Sequence, residues 1–66
     1  MEKQIFIKSG IGRASDFLKE NGINVLRLHE SSNSGEFELV VRSADFERAR
    51  DLLELLKAEG VEYRPR

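Results

Sequence analysis

The sequence predicts an α+β domain of order βαββαβ, a four-stranded antiparallel sheet with two helices on one face. Three observations carry this. Apolar residues alternate with period two in four short stretches, recur at helical spacing in two longer ones, and a helix-ending pattern appears twice. Leu18-Lys19-Glu20-Asn21-Gly22-Ile23-Asn24-Val25 matches Leu56-Lys57-Ala58-Glu59-Gly60-Val61-Glu62-Tyr63, each a helix end, a glycine and a strand start.

The elements follow in order. In residues 4 to 8, Ile5 and Ile7 share one side of a first strand while Gln4, Phe6 and Lys8 share the other. Ser9-Gly10-Ile11-Gly12 reads as a turn, after which Ile11, Ala14, Phe17 and Leu18 form a helical stripe that Gly22 terminates. Period two returns from Ile23 to Glu30, with Leu26 and Leu28 expected inward and Arg27 and His29 outward. Ser31-Ser32-Asn33-Ser34-Gly35 reads as a hairpin loop into a third strand with Phe37, Leu39 and Val41 inward and Glu36, Glu38, Val40 and Arg42 outward. Ser43 is expected to cap a second helix whose stripe is Phe46, Ala49, Leu52, Leu53 and Leu56, and which Gly60 closes. Val61 and Tyr63 predict a short last strand ended by Pro65. This order is the ferredoxin-like split βαβ arrangement, covering residues 1–66 as one domain.

Composition narrows the function. The 66 residues are 39% hydrophobic and 35% charged with a net charge of −1, which excludes a disordered tail and a basic arm for nucleic acid or membrane surfaces. Cysteine is absent, so disulfides and thiolate metal sites are excluded, consistent with a reducing compartment. No apolar run exceeds three residues and Met1 is followed by charge, so a soluble, cytoplasmic protein without cofactor is expected. A domain of this size buries only about 60% of the surface of its unfolded chain, so pairing with a second copy helps it. The uncovered sheet face offers Phe6 and Val40 as an apolar spot within a charged rim, an expected homo-oligomer interface, and the strand from Ile23 offers a free edge.

The stretch Gly10 to Val25, a glycine turn, a helix with Phe17-Leu18, then Gly22-Ile23-Asn24-Val25, resembles the signature of ACT domains, and the likeness runs through the hairpin and second helix. The resemblance implies a regulatory, allosteric module binding an amino acid or similar small metabolite where two domains meet. On matching positions the ligand-binding residues are Lys8, Ser9, Gly10, Ile11 and Asn24, and Gly12 completes the loop. Glycines ahead of a helix leave backbone N–H groups and the positive end of the helix dipole for an anion. Many members carry Arg-Pro-Gly or Asp-Pro-Gly in this loop, whereas this chain has Lys8-Ser9-Gly10 and no acid to meet an ammonium group.

Enzymatic readings are thin, and none is expected. His29 is the only histidine and alternates with Arg27 on a strand, a pattern of surface residues. Gly10-Ile11-Gly12-Arg13 is similar to the phosphate loop of acylphosphatases, but residues 36 to 42 lack the asparagine that family places in its third strand. Ile5-Phe6-Ile7 resembles the first-strand motif of RNA-recognition domains, yet Glu36 and Glu38 stand where that family puts aromatic and basic residues. A purely structural or engineered association module without ligand is the remaining alternative.

Overall fold

The structure is a computed structural model and describes residues 1–31 and 35–65. The middle of the expected hairpin loop, residues 32–34, lies outside the described residues. The elements are β1 (Glu2–Ser9), α1 (Ile11–Glu20), β2 (Val25–Glu30), β3 (Phe37–Arg42), α2 (Phe46–Leu55) and β4 (Glu62–Pro65). Short 3₁₀ turns, Ser43–Asp45 and Leu56–Glu59, flank α2. The strands make one antiparallel sheet of order β2-β3-β1-β4, the ferredoxin-like α+β arrangement.

Alternation explains the layers. Ile5 and Ile7 of β1 and Leu39 and Val41 of β3 are fully buried against Ala14 and Leu18 of α1 and Phe46, Ala49 and Leu53 of α2. Both helices therefore cover the same sheet face. Each of these large apolar side chains contributes about 1.5–3 kcal/mol by leaving water.

The repeated sequence pattern becomes one motif used twice. After α1, Ile23 N–H donates to Leu18 O at 2.9 Å and Gly22 N–H to Lys19 O at 3.1 Å. After α2, Val61 N–H donates to Leu56 O at 3.2 Å and Gly60 N–H to Lys57 O at 3.0 Å. Both are Schellman closures with a left-handed glycine, and the buried pairs Leu18/Ile23 and Leu56/Val61 supply their hydrophobic contacts. Each closure launches an edge strand.

Three local expectations are corrected. Ser43 makes no side-chain cap; it opens a 3₁₀ turn, and its N–H donates to Met1 O at 2.8 Å. In β2 the register shifts by one residue, Val25 facing Val41 and Arg27 facing Val40, so Leu26 is the extra residue. Val25 thereby packs on the core in place of Leu26, which is half-buried, while Leu28 is left 41% exposed at the sheet edge. The expected apolar spot on the open face is also absent as a surface, because Phe6 is 7% and Val40 1% exposed. Long polar side chains from neighbouring strands lie over them.

Candidate functional site

The open face is a sheet of paired charges. Arg64 of β4 stands over the Phe6 ring at 4.5 Å and donates to both carboxylate oxygens of buried Glu36, each at 3.2 Å. Glu38, opposite Phe6, accepts from the Gln4 amide and meets His29 Nε2 at 2.7 Å. Arg27 donates to Glu2 at 2.7 Å, beside a shallow depression of about 330 Å³ lined by Glu2, Lys3, Gln4, Arg27 and Val40. Phe6 and Val40 are thus core residues under a polar cover.

The turn ahead of α1 has structural work. Ser9 Oγ donates to Gly60 O at 2.8 Å, and Gly10, at φ 81°, lies so close to the turn that enters β4 that an added Cβ would sit 2.8 Å from Val61 Cγ2. Gly10 O accepts from Ala14 N–H at 2.8 Å, and Ile11 packs half-buried on the core. Of the loop residues expected to hold a ligand, Ser9 and Gly10 therefore tie the loop to the turn before β4, while Lys8 and Gly12 are exposed. Asn24 is exposed too, but it follows the C-terminal end of α1, whose ten residues span about 15 Å. One chain does not bring Asn24 to the Lys8–Gly12 loop.

Lys8 instead belongs to a site along β4. Ile7 faces Tyr63 and Ser9 faces Glu62, so Lys8 is the extra residue of a one-residue register shift. Such bulges re-aim side chains at sheet edges. Lys8 borders a depression of about 480 Å³ shared with Lys57, Gly60, Val61, Glu62, Tyr63 and Arg64. Of its three cations, Arg64 is already forked onto Glu36 and Lys57 is paired with Glu54. Among the described residues Lys8 makes no ion pair; Lys57 Nζ meets Glu54 at 2.8 Å and stands 5.3 Å from the Tyr63 ring centre.

The wall of this depression is braced from α2. Tyr63 Oη donates to Glu54 at 2.6 Å. Burial, and then this bond, push the phenol up to about 12. Hydrogen bonds from Lys57 and then Tyr63 hold Glu54 below the ordinary carboxylate range. Nearby, Arg13 donates to Glu59 at 2.9 Å, which lowers Glu59 and raises Arg13 while joining the start of α1 to the 3₁₀ turn after α2.

Lys57 and Tyr63 were not singled out from sequence. The signal was there in the echo: Gly60 ends the helical segment two residues before β4, and β4 must pair with β1 in this topology, which brings its flanking residues toward Lys8. Among the described residues no three His, Cys, Asp or Glu side chains gather as a metal site, and no helix is long and apolar enough to cross a membrane. No family model, no curated protein and no solved structure matches this chain.

Proposed function

We propose that this chain is a non-catalytic regulatory module, similar to ACT domains, that takes a small anionic ligand such as an amino acid or another carboxylate metabolite and associates with a second copy. The observation that carries this reading is the depression at Lys8, a cation without an ion pair among the described residues, beside the paired cations Lys57 and Arg64. Cations on a concave surface concentrate and hold anions. The β2 edge, with Leu28 exposed, is the surface for a second copy, now that Phe6 and Val40 lie under charged side chains. A ligand touching both Lys8 and Asn24 draws them from two copies. Glu36 and Glu38 on the open face argue against nucleic acid as partner, and the lack of cysteine favours the cytoplasm.

Thermal unfolding with added amino acids, dicarboxylates and phosphate tests the ligand, since one that binds only the folded state raises the transition by mass action. Lys8→Ala should remove that rise, and Asn24→Ala tests the contribution implied by the family likeness. Sedimentation that finds only the 7.6 kDa monomer at high concentration sinks the association. A transition insensitive to every anion leaves a purely structural association module.

A further inference from the structure

β4 is fixed firmly at one end only. The closure at Gly60 and Val61, the Ser9 bond to Gly60 O and the burial of Val61 hold its entry. Beyond that point Glu62 and Arg64 are exposed, so Tyr63 alone of the three packs on the core, and only in part. The ladder is thin as well. Ser31 N–H donates to Glu36 O, which sets the alternation across the sheet: Phe37 and Ile7 turn their backbone groups to each other, and Phe6 turns its own to Arg64. Tyr63, opposite Ile7, and Pro65, opposite Ile5, stand at the positions between. From Tyr63 onward Phe6 and Arg64 therefore make the one hydrogen-bonded rung among the described residues.

Two carboxylates complete the hold, one on each side of the sheet. On the open side Arg64 forks onto Glu36, whose charged neighbours on adjoining strands are Lys8, next to the Ile7–Phe37 pair, and Glu38 with His29. On the helix side Tyr63 Oη donates to Glu54, which also faces Lys57 and Arg50. We propose that residues 62–65 are an arm that swings out at Val61 when acid protonates Glu36 and Glu54. A neutral Glu36 no longer holds the guanidinium by charge, and a neutral Glu54 loses the charge that strengthens its bond from Tyr63. Lys57 and then Tyr63 hold Glu54 below its ordinary value of 4.5, so its share of the hold is complete above 4.5 and is lost as pH falls through the lower folded value. Opening uncovers the Phe6 ring and frees the Phe6 N–H and C=O. Glu62, Tyr63 and Arg64 also line the Lys8 depression, so opening dismantles it, whether or not an anion sits there.

The test is amide hydrogen exchange of the whole chain, labelled with nitrogen-15 and without added ligand, at pH values from about 7 down to about 3.5, each rate divided by the intrinsic rate at that pH. Protection of the Phe6 and Arg64 amides should fall about tenfold or more as pH drops, while Ile7, whose N–H turns to β3, and Leu39 keep theirs. The double variant Glu36→Gln, Glu54→Gln should show the low Phe6 and Arg64 protection already at neutral pH, with no further loss on acidification. Should that variant not fold, Glu54→Gln alone, at an exposed position, decides: Phe6 protection at neutral pH should drop about two- to fivefold. Loss of Phe6 and Ile7 protection together, which is unfolding of the whole domain, overturns the arm. So does Phe6 protection that stays constant throughout, an acid response of the folded double variant equal to that of the parent chain, or no change at Phe6 in Glu54→Gln.

Discussion

Gly10→Ala measures how firmly the turn ahead of α1 is packed on Val61, at the entry to β4. Its residue sits at φ +81°, and the added Cβ meets Val61 Cγ2 at 2.8 Å and Val61 Cα at 3.3 Å. Gly22 is the internal control, at φ +82° with nothing within 4 Å of an added Cβ. A left-handed conformation alone costs an alanine about 1–2 kcal/mol, which is the whole expected effect of Gly22→Ala. At Gly10 the contact adds an overpacking cost of about 1–3 kcal/mol, because the Val61 backbone cannot swing aside as a flexible side-chain end can. The sum, about 2–5 kcal/mol, is a large part of the stability on the order of 3–10 kcal/mol that a chain of this length carries. Urea unfolding followed by circular dichroism gives both values, and Val61→Ala, which deletes Cγ2, should couple to Gly10→Ala but not to Gly22→Ala. Equal costs for the two glycine variants, with no coupling at Val61, would refute the packing of this turn on Val61.

Three further outcomes are expected. Tyr63 is the only tyrosine and there is no tryptophan, so absorbance at alkaline pH should show one phenol titrating at about 12, moved back toward 10 by Glu54→Gln. Its raised folded value adds stability that is complete below pH 10, the ordinary value, and fades as pH rises to about 12, measurable by urea unfolding across that window. Arg64→Ala, which uncovers Phe6 and removes a forked partner of buried Glu36, should cost about 1.5–3 kcal/mol, against 0 to about 1 kcal/mol for Arg27→Ala in its exposed pair with Glu2. Phe6→Ala should destabilise the monomer by about 3–5 kcal/mol, as a core residue does, so a neutral result in denaturation would show that the polar cover is not formed.

The fold was legible because its signals are local. Period two over Ile5 and Ile7, the stripes of the two helices, and Gly22 and Gly60 as stops need only near neighbours in sequence. The misreadings all involve distant partners. Leu26 looks inward by simple alternation, and only pairing with β3 inserts it as an extra residue. Phe6 and Val40 look like surface because their cover comes from Arg64, Gln4 and other side chains on neighbouring strands, whose rotamers no pattern encodes. Ser9 and Gly10 look free to bind because their partners, Gly60 and Val61, lie some fifty residues away. Lys8 was found as an exposed cation near a helix start, but its companions Lys57 and Tyr63 required the β1–β4 register.

The irregular register along both outer strands bears on how far assembly can go. β4 has four residues, the last a proline without an N–H, and its ladder with β1 is already offset at Lys8. β2 has six, offset at Leu26. A flat, regular border would template strand after strand without limit. Here only a few rungs are available before the border bends or runs out of donors, so neither edge can extend the sheet strand after strand.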